Sequence, residues 1–233
     1  MTNAVRNRNC VRIPLSAKVF SIGMTYMPKT MNKQRIFITG IPTAGKSYLA
    51  KKLAEAVGGV CVSIDDVRQE LVKDEKYKKW VNFYIDQDEY TYYTTTTYDE
   101  QWKNLVAQSE GFWPGILARL AQYADDDRPV IFEGVSILPH LACRDLQISG
   151  IVIIGQSLEE TLDRNKKEPR WGATEELQKL EADAFFNGER PHYKDDAERY
   201  GYPVFETPDE AWATAVQILT SDPSASDKLQ ERR

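Results

Sequence analysis

One stretch of the chain has the residue types and spacing of a phosphate-binding loop. Residues 40–47 are Gly40-Ile41-Pro42-Thr43-Ala44-Gly45-Lys46-Ser47, which matches G-x-x-x-x-G-K-[ST]. In such a loop the backbone N–H groups surround phosphate oxygens, the lysine reaches the terminal phosphates and the serine hydroxyl ligates Mg²⁺. The motif therefore predicts binding of a nucleoside triphosphate with Mg²⁺. The alternative is a chance turn between two elements.

The sequence on either side of this loop has the pattern that the motif requires. Arg35-Ile36-Phe37-Ile38-Thr39 is a β-branched and aromatic run typical of a buried strand. Residues 47–57 are expected to be helical, with Leu49, Leu53 and Val57 on one face and a Gly-Gly pair after them. A strand, a glycine loop and a helix in this order would aim backbone donors at an anion.

Two carboxylates fall at the ends of further predicted strands. Asp65 follows the strand 60–64, and we expect it to accept the proton of an acceptor hydroxyl, although Asp66 could do so or could cap a helix from 67 to 73. Arg68 lies three residues after Asp65 and could face the same cleft, or could form a surface ion pair. Glu133 ends the strand 130–134, where it would contact Mg²⁺ through water or pair with a backbone or arginine group.

A basic cluster lies further along the chain. Arg164 and Arg170 enclose two lysines, at positions 166 and 167. Phosphoryl transfer needs cations over the moving group, often from a mobile lid. The cluster could supply them, or it could be a solvated basic face.

The order of the remaining elements predicts the fold class. Two further strands are predicted, at 150–154 and 202–206. They alternate with predicted helices at 110–123, 157–166, 175–186 and 209–219. Residues 94–97 could be helical or irregular. Apolar strands alternating with helices indicate an α/β fold with a parallel sheet covered on both faces. Ligands bind such sheets at the carboxyl ends of the strands.

Composition limits the classes of partner. The chain has 233 residues, a net charge of −5 and a pI of about 5.3, which argue against a broad nucleic-acid surface. No apolar run is long enough to span a bilayer. The cysteines show no metal-like spacing, and a cytoplasmic location is the simplest interpretation.

Both ends of the chain differ from the middle. Residues 1–34 contain no Asp or Glu but several Lys and Arg, and we expect a disordered basic extension; an organelle transit peptide is the alternative. Residues 221–233 are expected to be a disordered tail.

The segment between the second and third strands is crowded with aromatic residues. Residues 77–113 include many Tyr and Trp, which could stack on a base or sugar or could pack a helical subdomain. Acidic residues in the same segment argue against a long polyanionic acceptor. A small acceptor is therefore the favoured interpretation.

Together these pieces resemble P-loop kinases of the nucleoside- and nucleotide-kinase type, from about residue 35 to 219. The resemblance is carried by the loop and by the motifs Ser63-x-Asp65-Asp66-x-Arg68, Phe132-Glu133-Gly134-Val135, Leu162-x-Arg164-Asn165 and Ala197-x-x-Tyr200-Gly201-Tyr202-Pro203. The Asp65-Asp66-x-Arg68 motif is similar to one in polynucleotide 5′-hydroxyl kinases and zeta-toxin-like kinases. The stretch Glu133-Gly134-Val135-x-x-Leu138-Pro139 resembles 2-phosphoglycerate kinase-like proteins.

The resemblance implies a three-layer P-loop NTPase fold with a five-stranded parallel sheet and a helical lid. It implies a kinase domain at 35–220, with an acceptor-binding helical insertion at 74–128 and the lid at 157–195. It also implies that ATP lies near Tyr48 and Thr207, that Asp65 is the base, and that Arg68 contacts acceptor or phosphate. Lys167-Glu168 stands where polynucleotide kinases have a further arginine, so either Arg164 or Arg170 could cap the γ-phosphate.

The function expected from the sequence is Mg²⁺- and ATP-dependent transfer of a phosphoryl group to a hydroxyl of a nucleoside, sugar or hydroxy acid. One alternative is an ATPase or a nucleotide-binding regulatory protein, and another is a polynucleotide 5′-hydroxyl kinase. A GTPase is disfavoured because no Asn-Lys-x-Asp segment is present. The oligomeric state stays open.

Overall fold

A five-stranded parallel sheet forms the centre of the molecule. The computed structural model describes residues 34–172 and 174–220, so the predicted extension before Gln34 and the predicted tail 221–233 lie outside the described residues. The strands are β1 (Arg35–Gly40), β2 (Val60–Ser63), β3 (Val130–Glu133), β4 (Ser149–Ile153) and β5 (Val204–Phe205). Their order is β2-β3-β1-β4-β5, and every neighbouring pair is parallel.

Ten α-helices connect and extend these strands in the described part of the chain. They are α1 (Lys46–Val57), α2 (Ile64–Leu71), α3 (Glu75–Val81), α4 (Glu89–Thr95), α5 (Tyr98–Leu120), α6 (Pro139–Leu141), α7 (Leu158–Lys167), α8 (Glu175–Asp183), α9 (Arg190–Tyr200) and α10 (Pro208–Thr220). A 3₁₀ turn at Ala121–Tyr123 follows α5, and π turns at Ala142–Leu146 and Ala184–Glu189 follow α6 and α8. None of the helices in the described residues is long and apolar enough to cross a membrane.

The central position of β1 follows from its composition. Its side chains are all buried, because β3 and β4 pair with its two edges and helices cover both faces of the sheet. Such burial on both faces explains the continuous apolar run of this strand. The predicted α/β fold with a five-stranded parallel sheet is confirmed, and its central strand leads directly into the glycine loop.

Helix ends and their caps differ from the sequence-based prediction at three places. Helix α5 begins at Tyr98 and not at 110, because Thr97 and Glu100 form a capping box. Helix α4 ends at Thr95, so the undecided residues 94–97 are the junction of two helices. Helix α2 is capped by the side chain of Ser63, so the predicted capping role of Asp66 is wrong.

The chain from 175 to 200 forms one continuous helical path. The prediction ended this helix at 186, whereas the π turn Ala184–Glu189 carries α8 directly into α9. A π turn widens the helix locally and is frequent at functional sites. Here it lies next to the cavity described below.

Candidate nucleotide and acceptor site

The backbone of the glycine loop forms a cradle that side chains would fill. Gly40 has φ 126°, and a Cβ there would lie 1.9 Å from the carbonyl oxygen of Ile153. Gly45 has φ 90°, and a Cβ there would lie 2.6 Å from Cγ of Pro208. Both positions therefore require glycine, and the loop ends at the N-terminus of α1, where backbone N–H groups attract anions.

Lys46 is buried at the start of α1. Its Nζ donates to the carbonyl oxygen of Ile41 at 2.5 Å, within the loop itself. Burial lowers the pKa of Lys46 to about 8, while the nearby charges of Glu133 and Asp65 oppose that shift. A phosphate in the loop would offer this buried ammonium charge-assisted hydrogen bonds in place of its bond to the Ile41 carbonyl.

Ser47 and Glu133 lie together beside the lysine. The Ser47 hydroxyl donates to Oε2 of Glu133 at 3.1 Å. Burial raises the pKa of Glu133, and the Lys46 ammonium partly counters the shift. No group of three or more His, Cys, Asp or Glu gathers among residues 34–172 and 174–220, but hydroxyl and carboxylate oxygens fit a Mg²⁺ that also takes phosphate and water ligands.

Asp65 lies in the first turn of α2 and not at the end of a strand. Strand β2 stops at Ser63, which caps the helix, so Asp65 sits at the positive end of the α2 dipole. Its Oδ1 is buried and accepts no hydrogen bond within the described part of the chain. The charge of Asp65 acts on both Lys46 and Glu133, which places the three groups in one electrostatic cluster.

An open groove of about 870 Å³ runs along the outer side of the loop, and we call it the P-loop groove. It brings together residues from three distant segments of the chain, within 43–51, 156–170 and 207–209. The lining residues that were also predicted from the sequence are Thr43, Gly45, Lys46, Ser47, Tyr48, Arg164, Arg170 and Thr207. Its volume is within the range of small-molecule sites.

The two arginines of the groove differ in their partners. Nη1 of Arg164 donates to the carbonyl oxygen of Thr43 at 3.0 Å, and Nη2 contacts Glu160. Arg170 makes no hydrogen bond or ion pair with any residue from 34 to 172 or from 174 to 220, yet its charge lowers the pKa of Lys46. Arg164 is therefore attached to the loop, whereas Arg170 is free to meet a ligand.

Tyr48 presents an exposed ring at the other side of the groove. It is 58% exposed, and Nζ of Lys52 lies 5.4 Å from its ring centroid and 4.9 Å from that of Trp212. Thr207 accepts from the backbone N–H of Glu210 at the start of α10. These residues offer an aromatic face and a helix start beside the phosphate cradle.

A second, smaller cavity of about 130 Å³ lies on the inner side of the loop, and we call it the aromatic cavity. Its walls include Pro42 of the loop, Arg68 of α2, Trp171 and Glu189. Rings from the predicted acceptor insertion also line it, namely Tyr84, Tyr92 and Tyr93, each 5.6 to 6.0 Å from Trp171 between ring centroids. Other aromatic residues of the insertion, such as Tyr77, pack the core, as one of the two expectations had it. Stacking on a base or sugar stays a prediction.

Arg68 enters the aromatic cavity and not the P-loop groove. Its Nε is buried without a hydrogen-bond partner, and it forms no ion pair within the described residues, so the alternative of a surface pair is wrong. The structure thus separates the predicted cations: Arg164 and Arg170 line the groove with the loop, and Arg68 lines the cavity beyond it.

Two residues of the aromatic cavity were not identified from the sequence. Glu189 ends the π turn and has a buried Oε2 without a hydrogen-bond partner in the described chain. Burial raises its pKa to about 8, and the Lys46 ammonium opposes the shift. Trp171 follows the basic cluster directly. Neither residue has a motif spacing, and the only available signal was an aromatic residue beside Arg170.

Comparisons with known proteins find similarity only at the level of solved structures. No family model matches the chain, and no curated protein is significantly similar to it. A solved structure of shikimate kinase from Acinetobacter baumannii in complex with shikimate is similar to it with a TM-score of 0.45 and 16% sequence identity, over 84% of this chain and 96% of that one. What the chain does must therefore be inferred from the geometry of its own site.

Proposed function

We propose that the chain is an ATP- and Mg²⁺-dependent kinase that phosphorylates a hydroxyl of a small molecule. One observation carries the proposal: two adjacent loop residues line two different spaces. Pro42 lines the aromatic cavity, and Thr43 lines the P-loop groove. A donor in the groove and an acceptor in the cavity would meet at the loop. Such an arrangement suits transfer between two bound molecules, because catalysis of phosphoryl transfer is mostly positioning and electrostatic stabilisation.

The loop residues would hold the donor. Lys46 would exchange its bond to the Ile41 carbonyl for the terminal phosphates, and Ser47 with Glu133 would hold Mg²⁺, which neutralises charge on the phosphates when bound. Tyr48 and Thr207 would contact the nucleoside end. Arg170, which has no partner among the described residues, would cap the transferring group, while Arg164 holds the loop carbonyl of Thr43.

Asp65 would orient the acceptor and take its proton. Its buried Oδ1 has an unused acceptor position, which a substrate hydroxyl could fill. The Lys46 ammonium and this carboxylate attract each other, which would keep Asp65 beside the phosphate end of the loop. In this proposal residues 35–220 form the kinase domain. Within it, residues 74–128 are the insertion that binds the acceptor, and residues 157–195 are the lid. We propose that the protein works in the cytoplasm.

The test is transfer of γ-labelled phosphate from Mg-ATP to nucleosides, sugars, hydroxy acids and a 5′-hydroxyl oligonucleotide. The Asp65→Asn variant should bind Mg-ATP like the wild type but transfer at least about 100-fold more slowly, since general-base catalysis contributes this much or more. Asp66→Asn is the matched control, because that neighbouring carboxylate is exposed and should be dispensable.

The outcomes separate the proposal from its alternatives. Label on one acceptor, lost in Asp65→Asn and kept in Asp66→Asn, would support the kinase and the base together. Free phosphate alone, released at equal rates by all three proteins, would replace the kinase by an ATPase. Label on the oligonucleotide alone would favour the polynucleotide kinase alternative.

A further inference from the structure

The aromatic cavity carries information about the acceptor that the motifs do not. Two charged side chains that line it have a buried polar atom without a hydrogen-bond partner in the described chain: Nε of Arg68 and Oε2 of Glu189. Oδ1 of Asp65, three residues before Arg68 on α2, is also buried without such a partner. Buried polar atoms are nearly always paired, so unpaired ones that converge on a cavity indicate groups kept for a ligand. These unpaired atoms and the cavity volume together restrict the chemistry of the ligand.

The volume of the cavity favours a small acceptor. The cavity measures about 130 Å³, slightly less than the roughly 150 Å³ cavity that admits one benzene molecule. A molecule of about six to eight non-hydrogen atoms fills such a space. A nucleoside or a nucleotide chain end is considerably larger.

The charges set the chemistry of the two ends of the acceptor. Arg68 offers a guanidinium with no competing ion pair among residues 34–172 and 174–220, and a guanidinium matches the geometry of a carboxylate. Glu189 offers an oxygen that can bond a hydroxyl or ammonium hydrogen. Burial raises the pKa of Glu189 to about 8, so at neutral pH this group can also donate a proton to a hydroxyl oxygen.

We infer that the acceptor is a compact hydroxy acid, whose carboxylate binds Arg68 and whose second polar group, a hydroxyl or an ammonium, is selected by Glu189. This inference rests on the proposed function and narrows its acceptor. Tyr84, Tyr93 and Trp171 would enclose the carbon skeleton, and the hydroxyl to be phosphorylated would face Asp65 and the loop. Glu189 is then a specificity-determining residue.

Three matched acids test the role of Glu189. D-Glycerate carries a second hydroxyl, serine carries an ammonium at that position, and 3-hydroxypropionate carries neither. Wild-type kcat/KM should be higher for one of the first two than for 3-hydroxypropionate by about 10-fold or more, the usual worth of a hydrogen bond to a charged or buried partner. Which of the two is preferred identifies the second group.

Substitutions of Glu189 test whether its side chain causes this preference among the three acids. Glu189→Met should reduce kcat/KM for the preferred acid by about 10-fold or more and leave 3-hydroxypropionate within about threefold. Glu189→Gln should restore most of the activity if the second group is a hydroxyl, but not if it is an ammonium. Glu198→Met is the control, because that glutamate is exposed on α9. Thermal shift with Mg-ATP should be equal in all four proteins, which shows that they are folded.

Arg68 is tested with glycerol, which lacks the carboxylate of glycerate. Arg68→Gln should reduce transfer to the acid and bring it near the rate for glycerol. Three results would overturn the inference: preference for adenosine or a 5′-hydroxyl oligonucleotide, equal use of glycerol and glycerate by the wild type, or equal loss on all three acids in Glu189→Met. Transfer to one of the larger acceptors would leave the kinase proposal intact, whereas absence of transfer to every acceptor would overturn both.

Discussion

Thr43, the third residue between the two glycines of the loop, allows a test of backbone strain. The backbone geometry there predicts whether a substitution by glycine raises or lowers the free energy of unfolding. Thr43 has φ 61°, and only one other non-glycine residue in the described chain has positive φ. The left-handed region costs a β-branched residue roughly 1–2 kcal/mol, and glycine almost nothing. Oγ1 of Thr43 is also buried without a hydrogen-bond partner in the described residues, which costs about 1–3 kcal/mol.

Thr43→Gly should therefore stabilise the free protein. It removes the strain and the unpaired hydroxyl, but it loses about 0.8 kcal/mol of methyl burial and about 0.5–1 kcal/mol through the greater freedom of glycine in the unfolded chain. The net expectation is an increase of about 1–2 kcal/mol in the free energy of unfolding. For a domain of this size that is roughly 3–6 °C in Tm. The bond from Arg164 should survive, because it goes to the backbone carbonyl of residue 43.

Thermal and urea unfolding without nucleotide would measure the effect. Ala44→Gly is the matched control: Ala44 is buried and has no positive φ, so glycine there should lower the free energy of unfolding by about 1 kcal/mol. If Thr43→Gly lowers Tm as much as Ala44→Gly does, then the left-handed conformation at Thr43 stores no strain and this reasoning is refuted.

Two further predictions concern the charged groups of the site. A carboxyl whose pKa is raised in the folded state contributes stability that is complete below the unfolded pKa and is lost as pH rises through the folded pKa. The difference in free energy of unfolding between the wild type and Glu189→Gln should therefore fall between pH 5 and 8, by up to about 4 kcal/mol. Urea titrations at both pH values would measure the difference; a pH-independent difference would show that burial does not hold Glu189 protonated against the opposing charge of Lys46. Arg170→Ala should lower kcat about 100-fold without changing Tm, whereas Arg164→Ala should also lower Tm because the Thr43 carbonyl loses its donor. Steady-state kinetics and thermal unfolding of both variants would measure these effects. If Arg164→Ala lowers kcat without changing Tm and Arg170→Ala lowers Tm, then Arg164 is the residue that caps the phosphoryl group.

The parts of the site that could be predicted from the sequence are those set by local patterns. The run 35–39 and the glycines at 40 and 45 identify β1 and the loop, because a buried strand and a positive φ each restrict the residue types strongly. Ser47 and Glu133 were expected to meet because the loop and β3 reach the same edge of a parallel sheet.

The aromatic cavity could not be predicted in the same way. Its walls come from the loop, α2, α4, the residues after α7 and a π turn, so no short spacing connects them. Glu189 is a helical glutamate like many others until the π turn and the aromatic rings bury it. The start of α5 was also misplaced, because a capping box at Thr97 outweighed the low helix propensity of the threonines before it.

The adjacency of Arg170 and Trp171 has a consequence for how the two substrates influence each other. One peptide bond joins a side chain that lines the P-loop groove to a ring that closes the aromatic cavity. An acceptor that packs against Trp171 must therefore also restrict where Arg170 can go. Since any such coupling is reciprocal, we expect ATP and acceptor to bind synergistically, each tightening the other by about 5-fold or more. In the proposed kinase, the same link would limit hydrolysis of ATP by water, because Arg170 would reach its position over the phosphoryl group only when the acceptor is bound.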